Sequence, residues 1–384
     1  MSQNENIFLP HTTGILPAHS IKALVAEGVI ILDKPLDADQ IQPASLDLRL
    51  GKMAYRVQAS FLPGAHKSVD QRLGELSLHQ MDLSDGAVLE TNCVYIVPLL
   101  ESLRLPRNIA AMTNPKSSTG RIDVFTRVIT DFGEEFDKIP AGYDGQLYAE
   151  ISPRTFPILA RTGSRLSQIR FRLGSGSHND TELKRLHEEF NLVQMPADSN
   201  FEINIDNGIA FRVDLKGIAD GNGNNGGKNL VGYRAKRHAG LIDVDKKAGL
   251  KIADFWEAIY ANDSRSLVLD PDQFYILASK EAVHVPPHYA AEMIPYNTLV
   301  GEFRVHYAGF FDPGFGHDAA GGHGSRGVLE MRSHDVPFIL EDGQIIGRLV
   351  YERLTDAPTE LYGQLTTSNY QAQGLKLSKH FKAN

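Results

Sequence analysis

Apolar and polar residues alternate along this chain in short runs, with few long helical stripes. Cys93–Val97, Gln146–Ile151, Leu166–Leu173, Gln273–Leu277 and Ile345–Tyr351 are apolar or alternating, rich in β-branched and aromatic residues, and separated by Pro, Gly, Asn and Asp. Short strands at close spacing with turn residues between them predict an antiparallel sandwich or barrel. A helical period shows in two places. Ile21, Leu24 and Val25 share one face, with Gly28 just past the expected end. Leu183, Leu186 and Phe190 line a second helix, opened by Asn179 and Glu182 spaced as a capping box. Gly221–Gly227 reads as a flexible loop.

The pattern also repeats. Between Val88–Thr113 and the segment 180 positions later, Val268–Met293, eight of 26 residues are identical, among them Tyr95/Tyr275, Glu101/Glu281 and Pro106/Pro286. Average usage would give about one or two. The offset then holds without net insertion through Pro115/Pro295, Glu150/Glu330, Pro157/Pro337 and Gly163/Gly343. A recurring strand pattern explains apolar matches but not the prolines, the glycine and the glutamate, so the chain reads as a tandem duplication. The fold expected is all-β: two β-barrel or jelly-roll domains with a few short helices. With the Asn179 helix closing the first copy, the domains are expected at 1–195 and 196–384.

Length and charge fit this picture. The 384 residues suit two domains, and 42% hydrophobic with 22% charged residues is ordinary folded composition. A net charge of −8 argues against a nucleic-acid polymer, which needs a basic face, but not against a single nucleotide. The lone Cys93 permits no intramolecular disulfide and fits a reducing cytoplasm. It also excludes the zinc site of zinc-dependent nucleobase deaminases, which takes a Cys-x-x-Cys pair. Neither a signal-peptide pattern at Met1–Asn6 nor an apolar run of roughly 20 residues is present, so no membrane is expected.

Duplicated scaffolds diverge at their sites. After Pro115 comes Lys116-Ser117-Ser118-Thr119-Gly120-Arg121, a cation, hydroxyls and a guanidinium within six residues, able to bind phosphate oxygens through charge-assisted bonds. The same positions in the second copy, Tyr296–Gly301, carry no charge. Glu150 and its counterpart Glu330 each lie in a mostly apolar strand, where a carboxylate is either outward-facing, partnered or functional.

Gln42-Pro43-Ala44-Ser45-Leu46-Asp47-Leu48-Arg49-Leu50-Gly51 resembles the opening of the dCTP deaminase family, which has the dUTPase-like fold. Lys116–Arg121 resembles that family's Arg-Ser-Ser-x-x-Arg. Gly142-Tyr143-Asp144-Gly145 leading to Glu150, and more closely Phe311-Asp312-Pro313-Gly314, resemble its Ile-Asp-Pro-Gly turn and catalytic strand. Asn369–Gly374 resembles its C-terminal segment. Departures are Lys116 in place of the first arginine and Pro140 in place of the turn's aspartate, which survives only as Asp312.

The resemblance implies zinc-independent deamination of dCTP to dUTP and ammonia by one carboxylate acting as general base and then acid, in a dry pocket that raises its pKa. It implies Glu150 as that carboxylate, with Glu330 the competing choice because the family's sites draw on more than one subunit. Ser117 would hold the water and Arg121 orient the glutamate. Lys116, Ser118, Tyr148, Asp312, Tyr370 and Gln373 would bind the nucleotide, with Mg²⁺ on its triphosphate. The alternatives are a dUTPase, a bifunctional deaminase that also hydrolyses dUTP to dUMP, and a non-catalytic nucleotide-binding regulator. A metal site at His306, His317, His323 and His334 is weighed too, but histidines in so Gly-rich a stretch are usually exposed, and no protein-bound metal is expected. By the same resemblance chains assemble into homo-oligomers, with three-fold packing.

Overall fold

Three strand pairs recur in the two halves of the chain in one register, shifted by 180 residues. Glu150 lies opposite Ile96, and Glu330 opposite Ile276. Ile158 lies opposite Leu89, and Phe338 opposite Leu269. Ile169 lies opposite Thr113, and Leu349 opposite Met293. The strand orders also agree. One sheet of the first copy runs Lys138–Ile139, Ile109–Pro115, Arg165–Leu173, Ser45–Arg49, and its counterpart runs Phe310–Phe311, Tyr289–Pro295, Ile345–Arg353, Ile209–Arg212. Side chains alternate faces along a strand, so a one-residue slip would turn every core residue to solvent, and a buried face therefore fixes the register. The chain is two tandem all-β, dUTPase-like domains.

The computed structural model describes residues 13–197, 199–219, 228–295, 303–305, 309–333, 335–364, 369–371 and 373–382. The expected loop Gly221–Gly227 lies outside them. Both expected helices form, as Ala18–Ala26 followed by Gly28 at φ +70°, and as Asp180–Phe190 with the Asn179/Glu182 capping box. A third, Val69–Leu76, opens on a Ser68/Gln71 capping box. The boundary expected at 195 is corrected. Leu183, Leu186, Leu192 and Val193 pack in the second copy's core, so the Asp180 helix opens that copy rather than closing the first. Each copy also buries one matched ion pair. Arg49 and Arg212 donate backbone N–H to Glu101 and Glu281 at 2.8 Å, and their guanidinium groups bind the other carboxylate oxygen.

The copies share a core. Phe156 of the first packs edge-on against Phe255 and Trp256 of the second, at 5.6 and 5.5 Å between centroids. Ile158 and Leu159 pair in parallel with Ile242 and Asp243, and Arg332 binds Asp123 and Thr155 across the junction. The C-terminal segment closes the same core. Leu377 and Phe381 are buried there, and Ala248, Gly249 and Leu250 donate backbone N–H to Lys379 and His380. A tail serving only as a lid could be removed with the fold intact. This one cannot, because its removal would strip Phe381 from Phe255 and Trp256. Truncation after Gly374 is expected to lower the melting temperature by about 10 °C or more, since two large buried side chains are lost.

Candidate active site

Pro115 ends a strand, and the chain then turns through one short helix, Ser117–Gly120, with Lys116 at its start. The turn buries Ser118 and Arg121 against the second copy. Arg121 Nη1 donates to Gln373 Oε1 at 3.0 Å and to the Lys376 carbonyl at 2.9 Å. Its guanidinium lies 4.0 Å from the centroid of the Tyr370 ring. Its Nε is 3.8 Å from Glu330 Oε1 and, among the described residues, has no hydrogen-bond partner.

Glu330 stands on the strand Ser325–Ser333, whose apolar neighbours Leu329 and Met331 are fully buried. The residue is 4% exposed and its carboxyl pKa rises to about 8. Burial dominates that shift, and Arg121 offsets it only in part. Asp312, also buried, follows the strand Phe310–Phe311 and accepts from Arg170 at 3.1 Å, with burial raising its pKa.

These groups share a cavity of about 160 Å³ between the copies. Lys116, Ser117, Ser118 and Arg121 enter from the first copy, and Asp312, Glu330, Tyr370 and Gln373 from the second. Part of its lining is aromatic. Phe311 and Phe315 meet edge to face at 5.1 Å, and Tyr362 lies 5.6 Å from Phe315. Another part is cationic: Lys116, Arg165, Lys247 and Lys379. Asp47, 2% exposed, accepts from Lys116 and pairs with Arg165. Among the described residues Lys379 has no such partner, and its pKa falls to about 8, first through burial and then through the charges of Lys116 and Lys247. Arg165 is also engaged by Asp37 at 2.6 Å and Asp39 at 2.8 Å, so the cost of the crowding falls on Lys379, whose ammonium suits an anionic ligand.

Two expected site residues lie elsewhere. Glu150 does not line the cavity; Arg127 clamps it, with Nε at 3.1 Å from Oε1 and Nη2 on the same oxygen. Tyr148 sits in a separate cluster with Val57, Ile96 and Ile129, its hydroxyl 3.4 Å from Asp70. Sequence reasoning missed Lys247 and Lys379, on loops far apart in the chain, and Arg165 at the start of the strand Arg165–Leu173, none of which carries a motif. Asp47 stands inside the opening motif, and its charge among Leu46, Leu48 and Leu50 was the available signal. His317 accepts from the Ala319 N–H and His323 is 92% exposed at its side chain, whereas His306 and His334 lie outside the described residues. No group of three metal-ligating side chains occurs among the described residues, and no helix among them is long and apolar enough to cross a membrane.

The fold and site define a duplicated all-β enzyme with a buried acid beside a cationic, aromatic-walled cavity. Residues 12–175 match the family model of the N-terminal domain of 2′-deoxycytidine 5′-triphosphate deaminase, and residues 179–381 that of its C-terminal domain. A crystal structure of 2′-deoxycytidine 5′-triphosphate deaminase from Agrobacterium tumefaciens is 59% identical, covers 91% of this chain and all of that one, and superposes with a TM-score of 0.83. A dCTP deaminase of Halorubrum lacusprofundi is 27% identical over 160 residues, 41% of this chain and 76% of that protein. A dUMP-forming dCTP deaminase of Methanobrevibacter smithii is 24% identical over 192 residues, 47% of this chain and 96% of that protein. The chain belongs to the dCTP deaminase family and is an enzyme of that type.

Proposed function

We propose that the chain deaminates dCTP to dUTP and ammonia at the cavity between its copies, with Glu330 as the group that moves protons. The carrying observation is that Glu330, not Glu150, lines the cavity beside Arg121, Ser117 and Ser118. At neutral pH a carboxyl with a pKa of about 8 rests protonated. It can give that proton to N3 of the cytosine, which makes C4 electrophilic. The resulting carboxylate takes a proton from water as its oxygen bonds to C4. The neutral acid then protonates the 4-amino group, the C4–N bond breaks, and ammonia leaves. The remaining hydroxyl proton returns to Glu330 as the carbonyl forms, so one carboxyl serves as acid and base in turn.

Arg121, fixed by Gln373, Tyr370 and the Lys376 carbonyl, steadies the carboxylate whenever it is charged. Ser117 is the hydroxyl available to hold the water. The aromatic lining takes the base and sugar, with Asp312 accepting from a sugar hydroxyl. Lys116, Ser118 and Gln373, joined by Arg165, Lys247 and Lys379, take the triphosphate. Mg²⁺ fits as an ion held by the triphosphate's own oxygens, since the nearby Asp47 is already engaged by Lys116 and Arg165. When bound, it supplies charge neutralisation and orientation of the phosphates, and no protein-held zinc is required.

A second reading, deamination followed by hydrolysis to dUMP, is favoured by the dUMP-forming names of several relatives. Incubating the protein with dCTP and resolving dUTP, dUMP and ammonia tests both. Ammonia with dUTP is expected, dUMP at equal rate establishes the second reading, and absence of ammonia refutes deamination. Gln373→Ala removes the brace on Arg121 and one polar contact. It is expected to raise KM for dCTP about tenfold, the value of roughly one good hydrogen bond, and an unchanged KM would count against its place in the site.

A further inference from the structure

We propose that each chain carries a single working nucleotide site, assembled within that chain, and that the equivalent half-site around Glu150 is closed to substrate by Arg127. This rests on the Glu330 site described above and adds the number and ownership of sites.

Glu150 and Glu330 hold the same ladder position, opposite Ile96 and Ile276, so the comparison is residue for residue. Glu330 opens to a cavity and faces a guanidinium 3.8 Å away, too far for a hydrogen bond. Glu150 instead takes two N–H groups of Arg127 on one oxygen. That arginine is itself fixed. Its Nη2 also donates to Ser60 at 2.9 Å, and its guanidinium lies over the rings of Phe125 and Phe136, 4.6 and 3.4 Å from their centroids. A nucleotide reaching Glu150 would have to displace a charge-paired side chain that two aromatic rings also hold.

The other parts of the half-site are missing as well. Ile139 pairs with Ala111 as Phe311 pairs with Ala291, which puts Pro140 where Asp312 stands, with no carboxylate to offer. The cleft beside Ile139 and Pro140 has a volume of about 470 Å³, and Glu150 is not in its lining. The chain's one Ser-Ser-x-x-Arg element is committed to Glu330 of the same chain, and the matching positions 296–301 carry no charge. A neighbouring chain therefore has no second such element with which to complete a site at Glu150.

The test mixes two disabled chains. Arg121→Ala and Glu330→Gln proteins are each made, checked by melting temperature, then co-expressed with different tags and purified together. Because both groups belong to one site in one chain, the mixture is expected to be no more active on dCTP than the two proteins measured apart. Recovery to roughly a quarter of wild-type activity would show sites shared between chains and overturn the inference. Titration of dCTP into Glu330→Gln by calorimetry is expected to give one nucleotide per chain, and two per chain would equally overturn it. A Glu330→Gln protein that still released ammonia at the wild-type rate would instead sink the underlying site assignment.

Discussion

Glu330→Gln is expected to abolish turnover while making the protein harder to unfold at alkaline pH. Glutamine keeps the size of the side chain but can neither give nor take the proton, and general acid–base terms are typically worth about 10²–10⁴-fold. In the proposed mechanism one carboxyl serves every proton step, so kcat should fall by about 10⁴ or more, with dCTP still bound. Wild-type kcat/KM should hold up to pH about 8 and fall tenfold per pH unit above it, as the resting acid loses its proton. The stability sign runs the other way. A carboxyl whose folded pKa is raised stabilises the fold only while protonated, and that contribution is lost as pH rises from about 4.5 towards 8. Glutamine carries no such loss. The variant should melt above the wild type at pH 9, and the difference should vanish at pH 4. Loss of kcat with an equal loss of melting temperature at every pH would mean that Glu330 is structural.

The strands, the duplication and most of the site-forming turn were legible because each is written locally. Alternation marks strands, and a fixed offset marks the repeat. Lys116–Arg121 packs several groups able to bind phosphate into six residues. The choice between the glutamates was not legible, because it turns on what each meets in space. Arg127 stands 23 residues before Glu150 yet directly across the ladder from it, whereas Arg121 stands 209 before Glu330 and reaches it only across the junction of the copies. The domain boundary failed for a related reason. A helix's apolar face says that it packs, not on which core, and Leu183 and Leu186 chose the second. Lys247 and Lys379 were invisible because single lysines on loops are usually solvated. Only the approach of residues 244–250 to the C-terminal segment brings the two together.

Glu150→Ala is expected to unfold the protein more easily and leave its chemistry alone. The residue is 1% exposed, and its removal leaves Arg127 against two rings without its anion. Removing one partner of a buried pair typically costs about 3–5 kcal/mol. Arg127 keeps 23% of its side chain in solvent, which places the cost nearer about 2–3 kcal/mol. For a domain of this size that is a fall in melting temperature of about 5–10 °C. Glu150→Gln should cost less, about 1 kcal/mol, because its carbonyl still accepts from Arg127. In both variants kcat and KM for dCTP, measured well below the melting transition, should stay within about twofold of wild type, since the acid, the guanidinium and the hydroxyls all lie around Glu330. The paired measurement separates the roles. A stable Glu150→Gln protein without activity would return catalysis to the first copy, whereas an unstable but active one leaves Glu150 as the strut of a half-site that no longer binds nucleotide.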